Sequence, residues 1–171
     1  MWERSPDRDS RTMIDLLPHS KNLRAGRYSE EGRIYLLTTA TWQRKPLFLN
    51  FALGRIVVQA MRFQENEKRI ESLAFVLMPD HFHWLVALQH EATLPEVMKS
   101  VKSYSSRRIG NILRQGGEVE ATHIWQDGFH DHALRKEDDL IDVARYIVAN
   151  PVRAGLVQKI GDYSLWDAKW L

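Results

Sequence analysis

The stretch that decides the fold is MPDHFHWLV, residues 78–86, in which two histidines alternate with two aromatic residues. Short apolar runs flank the Pro-Asp pair on either side, which predicts a β-hairpin over about residues 71–89. Because side chains alternate between the faces of a strand, His81 and His83 share one face, and Phe82 and Trp84 point into a core on the other. Two imidazoles on one strand can bind a single metal ion, although ordinary strand histidines would give the same pattern.

The elements around this hairpin follow from periodicity and capping residues. A first strand is predicted over residues 33–42 and a helix over about 50–68, with Asn50 as its N-cap. A second helix is predicted over 94–114, because Thr93 is a suitable N-cap and Glu96 completes a capping box.

The C-terminal third predicts three further segments. Residues 121–134 indicate extended structure around an Asp-Gly turn, and residues 137–139 open a third helix that ends near Ala149, before Pro151. The final segment carries Trp166 and Trp170 and is expected to pack back onto the body. The order of strand, helix, two strands, helix, strand and helix predicts an α+β protein with a ferredoxin-like, or RRM-like, antiparallel sheet and packed helices.

The composition favours one domain. The chain has 171 residues, 44% hydrophobic and 27% charged, and we expect a single domain over residues 33–171 after a flexible basic arm, residues 1–32. The chain has no cysteine, which excludes disulfides and thiolate metal sites. No apolar run approaches the roughly 18 residues of a membrane span, and the N-terminus lacks the apolar core of a signal peptide. We therefore expect a cytoplasmic protein with no membrane partner.

One concentrated basic surface emerges when the second predicted helix is drawn at about 100° per residue. Four cations lie opposite its apolar residues: Lys99, Lys102, Arg107 and Arg114. This face either binds nucleic-acid phosphates or is an ordinary solvated helix surface.

The third predicted helix supplies a candidate nucleophile. Its apolar stripe consists of Leu140, Ile141, Ala144, Ile147 and Val148. Tyr146 lies nearly opposite that stripe, and Asn150, four residues later, lies on the same side as Tyr146. A phenol can act as a nucleophile and a carboxamide oxygen can bind a hard metal ion. A surface tyrosine followed by a helix-terminating asparagine would look the same.

Three segments, taken in order, resemble the single-tyrosine HUH transposases and, more closely, the REP-associated tyrosine transposases. They are MPDHFHWLV (78–86), IWQDGFHDHALR (124–135) and ARYIVANPVRAGLV (144–157). The resemblance implies the HUH nuclease fold and metal-dependent cleavage of single-stranded or hairpin DNA of REP elements. It assigns Mg²⁺ or Mn²⁺ to His81, His83 and Asn150, and makes Tyr146 the nucleophile of a 5′-phosphotyrosine intermediate. Insertion-sequence relatives usually carry Gln where this chain has Asn150.

Other interpretations remain open from the sequence. A rolling-circle replication initiator or a relaxase uses the same HUH combination of a histidine pair and a tyrosine nucleophile. A non-catalytic nucleic-acid-binding module could use the same kind of sheet. Tyr104 is a rival nucleophile with cations around it, but Arg108, four residues later, cannot bind a metal. A second His-x-His, at residues 130–132, lacks an apolar residue between its histidines. We favour a monomer, although the sequence does not determine the oligomeric state.

Overall fold

A single antiparallel sheet organises the protein. The structure, a computed structural model, describes residues 32–118, 123–135 and 139–171. The strands are β1 (Ile34–Ala40), β2 (Ile70–Met78), β3 (His81–Leu88), β4 (His130–Ala133) and β5 (Trp166–Ala168), in the spatial order β4-β1-β3-β2-β5. Every neighbouring pair is antiparallel. The α+β class and the ferredoxin-like sheet are therefore confirmed. The predicted arm lies almost entirely outside the described residues.

Helices α1 (Phe51–Asn66) and α2 (Leu94–Gln115) cover one face of the sheet, and both begin where their caps predict. The Asn50 side chain accepts a hydrogen bond from the backbone N–H of Ala52, and Thr93 and Glu96 form the expected capping box. Phe82 and Trp84 are fully buried on this face. The indole N–H of Trp84 donates to Ser72 Oγ at 2.9 Å, so its burial leaves no unpaired donor.

The opposite face carries helix α3 (Leu140–Val148), whose Ala144, Ile147 and Val148 belong to one buried cluster with Leu85 of β3. The prediction that Tyr146 lies opposite the apolar stripe was wrong, because Tyr146 is half-buried and packs against this cluster. The cluster includes Val143, whereas Ile141 is 38% exposed. The buried face is thus rotated towards Tyr146 from its predicted position.

Several boundaries differ from the predictions. Asp139 caps α3, so the helix begins at Leu140 rather than at residues 137–139, of which 137 and 138 lie outside the described residues. After Ala149 the chain forms a further short helix, α4 (Asn150–Arg153), with Pro151 in its first turn, where the missing N–H costs nothing. In the predicted segment 121–134, of which residues 121 and 122 lie outside the described residues, the described part forms a strand over four residues, β4. The last segment packs back as expected, through β5 paired with β2.

The helices in the described ranges offer no candidate for a membrane span, since none combines sufficient length with sufficient apolarity.

Candidate active site

Two histidines at the start of β3 form the centre of the candidate site. His81 and His83 lie on the sheet face that α3 covers, and their ring centroids are 5.1 Å apart with an interplanar angle of 85°. His83 pairs with Thr38 of β1 on one side and with Val76 of β2 on the other. Because β3 is the central strand, both rings stand on a rigid element, as a binding site requires.

Each imidazole has its Nδ1 atom engaged by a neighbour. His81 Nδ1 lies 2.6 Å from Asp80 Oδ1, and His83 Nδ1 lies 2.9 Å from Thr38 Oγ1. An ionised carboxylate only accepts, so His81 donates its Nδ1 proton to Asp80. A His83 that binds metal through Nε2 would likewise donate its Nδ1 proton to Thr38. With Nδ1 engaged in both rings, Nε2 is the atom through which each imidazole would bind a metal ion.

Burial and nearby charges shift the pKa values of His83 and Asp80. Burial lowers the pKa of His83 to about 3, and the positive charges of His81, Arg153 and Arg44 act in the same direction. His83 is therefore neutral at physiological pH, which is the form that binds metals. Burial tends to raise the pKa of Asp80, but the hydrogen bond and charge of His81 and the charge of Arg44 outweigh it and hold that pKa below its usual range.

The loop after β1 holds Asp80 from the other side. Arg44 Nε lies 2.9 Å from Asp80 Oδ2, and the N–H and hydroxyl of Thr41 both donate to the Asp80 carbonyl, at 2.8 and 3.0 Å. Gln43 and Arg44 have φ values of 53° and 56°, a left-handed conformation that non-glycine residues rarely adopt. Backbone of this kind persists where its surroundings fix it, and it is frequent at functional sites.

Asp80→Asn tests this support. The substitution keeps the side-chain shape but removes the charge that holds the His81 proton on Nδ1, so we expect Mn²⁺ affinity to fall by about 10- to 100-fold. Electron paramagnetic resonance of free Mn²⁺, titrated with protein, measures this affinity. The matched control is Asp162→Asn, which changes an exposed aspartate outside this site. An affinity unchanged by Asp80→Asn would show that the carboxylate does not support a metal ligand.

Tyr146 and Asn150 are joined by an arginine that the sequence analysis did not select. Arg153 Cζ lies 3.8 Å from the centroid of the Tyr146 ring, and Arg153 Nη1 donates to the Tyr146 carbonyl at 2.6 Å. Arg153 Nη2 donates to Asn150 Oδ1 at 2.9 Å, while Asn150 Nδ2 donates to the Ile147 carbonyl at 2.8 Å. The charge of Arg153 also lowers the pKa of His83, so Arg153 lies within electrostatic reach of that histidine.

The predicted basic face is not brought to this site. Helix α2 packs on the sheet face opposite the histidines, with Lys99, Arg107 and Arg114 exposed. Lys102 instead turns inward, and its ammonium donates to the carbonyls of Gln126 and Gly128 at 2.5 and 2.7 Å. Lys102 therefore ties the loop before β4 to α2. Whether the other three bind DNA stays a prediction.

The remaining candidates lie elsewhere. Tyr104 is 38% exposed on α2, away from the histidine face. His130 and His132 pair in register with Thr38 and Leu36, so they share the sheet face of His81 but stand two strands from β3. The described part of the chain contains no cluster of three or more His, Asp or Glu residues able to hold one metal ion. Among the residues of these ranges, the predicted Asn150 is the candidate for a third ligand beside the two histidines.

The comparison with protein families decides the assignment. Residues 33–150, more than half of the chain, match the family described as Transposase IS200 like. The chain belongs to this family. A REP-associated tyrosine transposase of Escherichia coli is 29% identical over 99 residues, which cover 58% of this chain and 54% of the relative. A relative of similar name from Haemophilus influenzae is 29% identical over 98 residues, covering 54% of this chain and 56% of the relative.

A solved structure supports the same fold. The REP-associated tyrosine transposase bound to a REP hairpin has a TM-score of 0.67 and 22% identity, covering 82% of this chain and 79% of its own. The resemblance to REP-associated tyrosine transposases drawn from the three segments is confirmed. The chain spans about half the length of these two curated relatives.

Proposed function

We propose that this protein is a metal-dependent single-stranded DNA endonuclease and strand transferase that acts on REP-type hairpin DNA through a 5′-phosphotyrosine intermediate. One observation carries the proposal: a single arginine contacts both a tyrosine and a carboxamide, at a helix packed on the sheet face that carries two neighbouring histidines. Neither the group around Arg153 nor the pair of histidines is specific for this function alone. Together they supply the nucleophile and the ligand set that a single-tyrosine transposase requires.

The residues present fit Mg²⁺ or Mn²⁺. His81 and His83 have their Nδ1 atoms engaged, and Asn150 Oδ1 keeps a second lone pair beside its bond to Arg153. Imidazole nitrogens with a carboxamide oxygen form a borderline-to-hard donor set, which suits these ions. A bound divalent ion would polarise the scissile phosphate and offset the negative charge that develops there.

The chain's own groups perform the remaining steps. The Tyr146 oxygen attacks phosphorus in line with the 3′-oxygen and loses its proton to solvent. The phosphorus–oxygen bond to the 3′-oxygen breaks, and that oxygen takes up a proton, which leaves a free 3′-hydroxyl and a 5′-phosphotyrosine link. The link conserves the energy of the phosphodiester, so a second 3′-hydroxyl can attack it and release Tyr146 without a nucleotide cofactor.

We infer a cytoplasmic protein, because the proposed substrate is chromosomal DNA. The direct experiment incubates the protein with a labelled single-stranded REP oligonucleotide in Mn²⁺ and resolves the products on a denaturing gel. We expect a protein–DNA adduct that EDTA abolishes. Binding of the hairpin without any adduct would favour a non-catalytic binding module. Adducts formed equally with unrelated single strands would contradict specificity for REP-type DNA.

The exposed cations of α2 are the candidate phosphate contacts. Lys99→Ala, Arg107→Ala and Arg114→Ala should each weaken hairpin binding and lower the salt slope of log K by roughly 0.7 to 0.9 per lost contact. Fluorescence anisotropy over a salt series measures this slope. Lys102 is omitted because its ammonium holds the loop before β4. If a variant that combines all three substitutions keeps the wild-type salt slope, this face of α2 is an ordinary solvated surface.

A further inference from the structure

Arg153 has an unusual set of contacts for an exposed arginine. Its guanidinium stacks on the Tyr146 ring and donates to the Tyr146 carbonyl and to Asn150 Oδ1. None of the ion pairs found among the described residues involves Arg153. Among the described residues, the observed contacts of Arg153 are therefore with the proposed nucleophile and the proposed metal ligand, and not with a carboxylate.

The local fold explains how Arg153 reaches both residues. Helix α4 places Arg153 three positions after Asn150, so their side chains lie on one side of that turn. Gly155 then adopts a φ of 71°, which ends the helical turn soon after Arg153. Arg153 thus bridges the end of α3, which carries Tyr146, and the start of α4, which carries Asn150.

The contacts of Asn150 determine the orientation of its amide. Its nitrogen donates to the Ile147 carbonyl and its oxygen accepts from Arg153, so a flipped amide would face the guanidinium with its own donors. Arg153 therefore keeps the carboxamide oxygen, rather than the nitrogen, facing its guanidinium, which also stacks on the Tyr146 ring. The planar guanidinium can make this bond and stack on the ring simultaneously, which a lysine ammonium cannot.

We propose that Arg153 is a positioning residue that holds the Tyr146 ring and the Asn150 oxygen in the positions that phosphodiester cleavage requires. This inference rests on the proposed function. Arg153 acts through the two residues that it holds, so its removal affects the rate of the chemical step and the affinity for metal, and leaves affinity for DNA unchanged. A displacement of about 1 Å between reacting groups can lower a rate by roughly 100-fold.

The experiment compares Arg153→Ala and Arg153→Lys with a matched control, Arg145→Ala. Arg145 is an exposed arginine of α3 whose ion pair, within the part of the chain that the structure describes, is with the exposed Asp142, so its variant removes an equal charge near Tyr146 and Asn150. Four quantities are measured: the thermal midpoint, the Kd for a REP hairpin, the Mn²⁺ affinity without DNA by electron paramagnetic resonance, and the adduct rate at saturating DNA and Mn²⁺.

For Arg153→Ala we expect an unchanged hairpin Kd, weaker Mn²⁺ binding, and an adduct rate about 100-fold lower at saturation. Arg153→Lys should recover part of the rate, and Arg145→Ala should match the wild type throughout. A wild-type rate in Arg153→Ala overturns the proposal. So does a rate loss that saturating DNA repairs, because that result makes Arg153 a phosphate contact.

Two further outcomes are decisive. If Arg153→Ala melts below the assay temperature, the folded Arg153→Lys variant decides the matter, and a full rate with full Mn²⁺ affinity in that variant overturns the proposal. If the wild type itself forms no adduct, the proposed function fails, while weaker Mn²⁺ binding in Arg153→Ala but not in Arg145→Ala still supports the positioning of Asn150.

Discussion

Tyr146→Phe is expected to form no covalent adduct with a single-stranded REP oligonucleotide in Mn²⁺. The substitution deletes the hydroxyl and keeps the ring, which packs against the α3 cluster on one side and against Arg153 on the other. The fold, the stacking and the backbone bond from Arg153 should therefore survive. With its oxygen gone, the chain has no nucleophile placed beside Asn150, so adduct formation should be abolished rather than slowed.

The measurement is a denaturing gel with labelled DNA, and hairpin binding by anisotropy serves as the test of folding. Tyr104→Phe is the control, since Tyr104 is an exposed tyrosine on α2, across the sheet from the histidines. We expect the Tyr104 variant to form adduct at the wild-type rate. A shifted protein–DNA band from the Tyr146 variant would refute the assignment of the nucleophile.

The parts of the fold that the sequence predicts well are those determined by local chemistry. The hairpin follows from two apolar runs around Pro79-Asp80, and α1 and α2 follow from Asn50 and the Thr93–Glu96 capping box. The shared face of His81 and His83 follows from the period of a strand alone. Each of these features is decided within a few residues, so it can be inferred without knowledge of the partners.

The features that the sequence analysis missed depend on distant partners. β5 is three residues long and forms because β2 offers it an edge, which no pattern within residues 166–168 reveals. Lys102 lies on the basic side of a helical projection, but its ammonium finds two carbonyls of the loop before β4. Side-chain direction on a helix predicts exposure only until another segment packs alongside it.

The residues of the candidate site also fall into those that the local sequence predicts and those that depend on distant partners. Its principal residues could be named in advance, whereas Asp80, Thr38 and Arg153 were recognised only from their contacts. A local signal did exist for two of them, because Asp80 precedes His81 directly and Arg153 lies within the third matched segment, three residues after Asn150. Thr38 has no such signal, since only the register of β1 against β3 places it beside His83.

His83→Ala is expected to abolish cleavage of a REP oligonucleotide while hairpin binding persists. His83 stands on the central strand, and the substitution removes one of the two imidazole ligands and leaves the Thr38 hydroxyl facing the vacated space. Without that ligand the divalent ion is not retained, and the charge of the transition state is no longer offset. Binding should persist because most contacts to DNA are made to its phosphates, away from the metal ligands.

His81→Ala should behave in the same way, because it removes the other imidazole. The control is His130→Ala, which deletes an exposed histidine from β4 on the same sheet face, in register with Thr38. Cleavage is followed on a denaturing gel, hairpin affinity by anisotropy and Mn²⁺ affinity by electron paramagnetic resonance. We expect His130→Ala to retain all three, whereas either active-site variant loses cleavage and Mn²⁺ binding together. Undiminished cleavage in His83→Ala or His81→Ala would remove the metal from the mechanism, and another group would then have to offset the charge of the transition state.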